Sequence, residues 1–230
     1  MRIAILDVTE HPLPLLEGLP TPASQIRDWL APALPEAELV GLSIAEGTPL
    51  PKVGDYDGYV VSGSEKGVYD EAPWMDGLRA LLLDCREART PVYGICFGHQ
   101  ILADTWGGRA AKAECGMIVG AKRFDYRGRE VDAHAWHQDQ VHEVPPGATV
   151  TGSAAHCPIG ALDYDFPARS VQFHPEYTAD AMRALFERGR DVFVTPDQIA
   201  EAEISFETAA VPRDLAAEDA AHLFRQHARA

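Results

Sequence analysis

The sequence predicts an α/β fold, an open and mostly parallel sheet with flanking helices and antiparallel hairpins added to it. Three observations carry that prediction. Residues 2–8 form a nearly continuous apolar run, the pattern of a strand buried on both faces of a parallel sheet. Strand-like and helical segments then alternate as far as Trp106, as right-handed crossovers require. Between Val119 and Val171 the helical spacing stops, and short strand-like pieces are separated by Gly and Pro turns.

The elements follow in order. A proline-rich loop, His11 to Pro22, leads from the first strand into a helix from Ser24 to about Leu34. Glu38 to Ile44 reads as the second strand, and Gly58 to Ser62 as the third, ending in Gly63-Ser64. Trp74, Leu78, Leu81, Leu82 and Cys85 fall at helical spacing and predict a helix from Trp74 to Ala88. Pro91 to Ile95 is a short buried strand, and Gln100 to Trp106 is helical. Arg127-Gly128-Arg129, Pro145-Pro146-Gly147 and Cys157-Pro158 mark turns between hairpin strands. Thr178 to Arg188 returns to helix. Beyond Pro196 the chain is rich in Ala and Glu, with a further helix from Leu215 to Ala228.

Composition narrows the function classes. With 20 Lys and Arg against 35 Asp and Glu, the formal charge is −15, which repels phosphate backbones and anionic lipid. Nucleic acid and membrane are therefore not expected partners. Cys85, Cys96, Cys115 and Cys157 are scattered, with no pair at two-residue metal spacing. The opening Arg2-Ile3-Ala4-Ile5-Leu6 is too short for a signal core, and no apolar run approaches bilayer length, so a cytoplasmic location is expected. His134, His137 and His142 give no consistent facing set on strand-like sequence, so neither a metal nor another cofactor is expected. Arg123, Arg127 and Arg129 read as a solvated hairpin, and Asp7 and Asp57 as loop and strand-end residues.

The chemistry lies in two motifs. Gly94-Ile95-Cys96-Phe97-Gly98-His99-Gln100 sits between a short strand and a helix. A nucleophile on such a sharp turn needs small neighbours two residues either side, and the helix N-terminus favours thiolate and a developing oxyanion. Downstream, Val171-Gln172-Phe173-His174-Pro175-Glu176 runs an apolar strand into a histidine with a carboxylate two residues on. A cysteine nucleophile needs an imidazole to take and return a proton, and a carboxylate to fix its tautomer.

Together these motifs resemble the class I (triad) glutamine amidotransferase family over roughly Arg2 to Arg188. The resemblance implies a flavodoxin-like sheet, with Cys96 as nucleophile, His174 as general base and acid, and Glu176 as the orienting carboxylate. It also implies that Gly63 or Ser64 and Phe97 line an oxyanion hole through their backbone. Gln100, Trp136, His137 and Gln138 match the segments that hold the α-substituents of the substrate. Gly63-Ser64-Glu65 stands where many members have Gly-Gly-Pro, and Trp136 and Gln138 also depart from the usual pattern.

The implied function is hydrolysis of a γ-glutamyl amide, glutamine itself or a γ-glutamyl amine or peptide, through a cysteine thioester and without a cofactor. One alternative is a glutaminase subunit that supplies ammonia to a separate synthetase chain. Another, of a different class, is a catalytically idle interaction module. Val68 to Trp74 looks similar to the loop of stand-alone members related to the amidotransferase part of GMP synthetase. The acidic composition, with Asp70 and Glu71 beyond the oxyanion loop, suits a cationic amine half. Residues 1–190 are expected to form the catalytic domain, and 191–230 a helical extension packed on or near it, which caps the domain, makes a dimer contact or gates the site.

Overall fold

The computed structural model describes residues 1–10 and 18–227. Most of the proline-rich loop and the final Ala228 of the predicted last helix lie outside the described residues. The elements run β1 (Arg2–Asp7), α1 (Pro22–Leu30), β2 (Glu38–Ser43), β3 (Gly58–Val61), α2 (Met75–Ala88), β4 (Val92–Ile95), α3 (Phe97–Thr105), β5 (Arg109–Lys112), β6 (Ile118–Tyr126), β7 (Arg129–His137), β8 (Asp139–Glu143), β9 (Ala148–Ala154), β10 (Cys157–Tyr164), β11 (Ala168–Val171), α4 (Ala179–Gly189), α5 (Pro196–Thr208) and α6 (Arg213–His227).

Among the described residues, nine strands form one mixed sheet in the order β2-β1-β3-β4-β11-β10-β9-β6-β7, and β5 pairs with β8 in a separate ribbon. The strands from β2 to β11 are parallel, and from β10 onward each neighbour is antiparallel. The antiparallel part is thus a continuation of the main sheet rather than a decoration beside it.

Alternation along the buried strands sends side chains to two core layers. On one face Ile3, Ile5, Val60, Tyr93 and Val171 pack with Ile26, Trp29 and Leu30 of α1 and Leu223 and Phe224 of α6. On the other, Ala4, Leu6, Tyr59, Val61 and Val92 pack with Leu78, Leu81 and Leu82 of α2 and Ile101 and Leu102 of α3. Both faces of the parallel half are therefore covered, which is why β1 reads as an unbroken apolar run.

Four details depart from expectation. Cys157-Pro158 is not the turn; the chain turns at Ala155-His156, and β10 begins at Cys157 with a register shift against β9. Such an irregularity tolerates a proline that cannot donate to the ladder. The stretch after Pro196 is a full helix, α5, opened by a capping box between Thr195 and Gln198. It buries only Ile199 and Ala202, too little to write an apolar stripe into the sequence. The short strand β5 was also unsignalled. Arg127 is not a solvated hairpin residue, because with Arg169 it forms a four-residue ion network with Asp163 and Asp219 that ties the β6–β7 turn, β10 and β11 to α6.

Two glycines fix how closely α3 approaches the sheet. A Cβ on Gly98 would stand 2.3 Å from the Val61 carbonyl oxygen, and one on Gly94 would stand 2.6 Å from the Gly98 carbonyl oxygen. Both obstacles are backbone, so neither can yield without moving β3 or α3. Gly98→Ala is expected to destabilise the fold by more than about 3 kcal/mol in urea unfolding, whereas Gly116→Ala, which has open space around it but a positive φ of 73°, is expected to cost only about 1 kcal/mol.

Candidate active site

β4 runs straight into Cys96, and α3 starts at the next residue. The Cys96 backbone has φ 53° and ψ −104°, a conformation that L residues rarely adopt and that surrounding structure must enforce. The enforcement is visible. Cys96 N–H donates to Val171 O at 2.9 Å, and Gly98 N–H donates to Ser62 O at 3.1 Å, pinning the bend between β11 and β3.

β11 lies parallel beside β4 with Val171 opposite Ile95. The residues that follow each strand therefore emerge side by side, which brings Gln172 and His174 to Cys96. Gln172 is fully buried, and its Nε2 lies 3.7 Å from Cys96 Sγ. His174 N–H donates to His134 O of β7 at 2.8 Å. A point one Cβ bond out from Gly63 lies 3.7 Å from Cys96 Cβ and 4.0 Å from His174 Nε2, so the sulfur-bearing residue and the imidazole flank one small gap.

The imidazole is fixed on several sides. Its Nδ1 lies 2.6 Å from Glu176 Oε1, and both side chains are almost wholly buried. Its ring stacks on Tyr177, with centroids 4.2 Å apart and planes within 2°. Nε2 has no hydrogen-bond partner among the described residues. Burial alone would lower the His174 pKa, but the Glu176 carboxylate and then the Cys96 sulfur outweigh it and raise it to about 10. His137 shows the opposite balance. Burial first, then the charge of His174, pushes it down to about 3, which leaves it neutral at ordinary pH.

Two clefts meet at Cys96. The first is lined by Gly63, Ser64, Glu65, Trp136, His174 and Tyr177, among others. The second is lined by Glu65, Gln100, Trp136, His137, Gln138 and Asp139, among others. The backbone N–H groups of Gly63, Ser64 and Phe97 donate to no partner among the described residues. The Phe97 side chain points into the core against Trp74. Gln100 reaches the second cleft, but its Nε2 is already committed to Asp139 O at 2.9 Å and Gln172 Oε1 at 3.2 Å. His134, His137 and His142 each turn one ring nitrogen to a main-chain carbonyl, of Tyr177, Asp139 and Lys112 respectively.

One residue at the site was not anticipated. Arg213, at the start of α6, donates from Nε to Pro175 O at 2.9 Å and from Nη2 to Glu176 O at 2.8 Å. Its own carbonyl accepts from Trp29 Nε1 at 2.9 Å. The helical extension thus grips the backbone that carries His174 and Glu176. Nothing local to position 213 signals this, since the contact spans 37 residues or more.

Two outcomes follow from this geometry. The protonated imidazole stabilises the fold in full below the ordinary histidine pKa of about 6.5, and that contribution fades as pH rises towards about 10. The unfolding free-energy gap between wild type and Glu176→Gln is therefore expected to be widest near about pH 6 and to close towards about pH 10. A gap that does not change with pH contradicts the charge balance. Arg213→Met, which keeps the apolar stem and loses both bonds, is expected to cost about 1–3 kcal/mol in the same assay.

Comparison with known proteins finds the same region. A family model described as glutamine amidotransferase class-I matches residues 37–190. Gamma-glutamyl peptidase 5 of Arabidopsis thaliana is 29% identical over 147 residues, covering 58% of this chain and 59% of that protein. A glutamine-hydrolyzing GMP synthase subunit of Archaeoglobus fulgidus is 30% identical over 138 residues, covering 56% of this chain and 71% of that protein. The chain thus spans about three fifths to seven tenths of the length of these curated relatives. Among solved structures, a glutamine amido transferase from Methylobacillus flagellatus shares the fold with a TM-score of 0.74 at 22% identity, covering 99% of this chain and 94% of that one.

Proposed function

The chain belongs to the class-I glutamine amidotransferase family, and we propose that it hydrolyses the γ-glutamyl amide bond of glutamine or of a γ-glutamyl amine or peptide through a thioester on Cys96. The observation that carries this reading is the strained Cys96 bend beside an imidazole whose Nδ1 lies 2.6 Å from the Glu176 carboxylate and whose Nε2 has no partner among the described residues.

In this mechanism the Cys96 thiolate attacks the γ-carbonyl carbon, and the oxygen takes the negative charge. The N–H groups of Gly63, Ser64 and Phe97 are the donors available to it. As the C–N bond breaks, His174 gives its Nε2 proton to the departing amine. It then takes a proton from water, whose oxygen attacks the thioester to release glutamate and restore the thiolate–imidazolium pair. Glu176 holds the ring orientation and the positive charge throughout. The clefts offer Gln100, Trp136, His137 and Gln138 for the α-substituents of the glutamyl half. No metal or cofactor takes part in any step of this mechanism.

Residues 1–190 carry the reaction in this reading, with 191–230 as a buttress. No described helix is long and apolar enough to cross a membrane. The four unpaired cysteines fit a reducing, cytoplasmic compartment. A second reading, in which the chain passes ammonia to a synthetase chain, draws support from the relatives named as GMP synthase subunits. An idle interaction module fits poorly with the strained Cys96 backbone, a conformation that costs on the order of 1–3 kcal/mol to hold.

Assaying the purified chain alone on glutamine and on a panel of γ-glutamyl amides separates these readings. Turnover of an amide without any second chain is expected, and Cys96→Ala is expected to lower it by about 10³-fold or more. Turnover that arises only on adding a synthetase chain favours the ammonia-supplying role. Wild-type activity retained in Cys96→Ala would remove the mechanism.

A further inference from the structure

The two clefts at Cys96 are not equivalent. His174 lines the first and does not line the second, whereas Gln100, His137 and Gln138 line the second and not the first. An amine that leaves by accepting the His174 proton must sit beside that ring, in the first cleft. Glu65 lines both clefts, and among the described residues lining the first it is the one acid.

The Glu65 carboxylate forms no ion pair among the described residues. Oε1 is buried without a hydrogen bond. Among side chains, Oε2 has only Ser64 Oγ at 3.5 Å, and that hydroxyl donates instead to Val8 O at 2.8 Å. The adjacent Lys66 ammonium lies 3.3 Å from a different acid, Glu10. Burial above all holds the Glu65 carboxyl above the usual range; the Glu10 charge adds to this, while the main-chain N–H groups of Glu65 and Glu10 and the Lys66 charge oppose it without cancelling it. Asp70 and Glu71, which the sequence offered for this purpose, are elsewhere. Asp70 accepts the Gly67 N–H at 2.8 Å, and neither residue lines the clefts.

A carboxylate oxygen withdrawn from water and left unmatched costs free energy until a donor reaches it, and a cationic donor makes the strongest such bond. We propose that Glu65 binds a primary ammonium on the amine half of the substrate, so that this site selects γ-glutamyl amides of diamines over those of uncharged amines. The inference rests on the γ-glutamyl amide reading above and adds the chemistry of the leaving group to it. It also gives a physical role to a position where the loop departs from the family's Gly-Gly-Pro.

The test compares two ligands of equal length, the γ-glutamyl amide of 1,4-diaminobutane and that of pentylamine, which has a methyl group in place of the terminal ammonium. Calorimetric titration into the Cys96→Ala chain reads binding without turnover. The charged amide is expected to bind about tenfold or more tightly, and the ratio is expected to fall to within about twofold of unity in Cys96→Ala/Glu65→Gln. Cys96→Ala/Glu65→Asp is expected to keep the direction of the preference. Equal affinities in Cys96→Ala overturn the proposal. So does a loss in the Gln variant that weakens both ligands alike, because Glu65 would then read the α-ammonium they share. Wild-type turnover of the same pair is measured separately. A binding preference without any hydrolysis overturns the proposed reaction and leaves the cation subsite standing.

Discussion

The parallel ladder between β4 and β11 is the constraint on which the rest of the site depends. It sets Val171 opposite Ile95 and passes a hydrogen bond from Cys96 N–H to Val171 O. Two segments far apart in the chain therefore leave the sheet at the same edge. Ligand sites in open α/β sheets lie beyond the carboxyl ends of the strands for this reason. Cys96 and His174 stand at two adjacent strand ends. A slip of one residue in that pairing would turn Gln172 and His174 together to the other face and part the sulfur from the imidazole.

Holding this arrangement costs the fold something. A non-glycine residue at positive φ costs on the order of 1–3 kcal/mol, and an ion pair buried like His174 and Glu176 recovers its desolvation only with good geometry. The surrounding contacts show how both are sustained. Gly94 and Gly98 let backbone approach backbone around the bend. The Tyr177 ring covers the imidazole face. Arg213 secures the carbonyls of Pro175 and Glu176, and the network of Arg127, Asp163, Arg169 and Asp219 fastens the same helix to the sheet. The C-terminal extension thus bears on the reactive geometry, although the family model ends at residue 190.

Much of this was legible in the amino-acid sequence because the signals are local. An apolar run bounded by Gly94 and Gly98 describes a strand, a bend and a helix within a few residues, and His174-Pro175-Glu176 places two side chains at one strand end. The parallel half of the sheet was readable for the same reason, since burial on both faces leaves few polar interruptions. What escaped depends on long-range contact. Helix α5 buries two small patches rather than a stripe, and Pro158 is accommodated only by a register shift in β10. Arg127 finds its acids on β10 and α6. Arg213 and Glu65 gain their significance from what the fold leaves beside them, a pair of carbonyls in one case and an unmatched oxygen in the other.

The reading stands on His174 activating the Cys96 sulfur. The most direct test is the rate at which iodoacetamide alkylates Cys96, followed by mass spectrometry in the wild type and in His174→Ala at the same pH. Alkylation of the wild type is expected to be about tenfold faster or more than that of His174→Ala. Equal rates in the two proteins would contradict it.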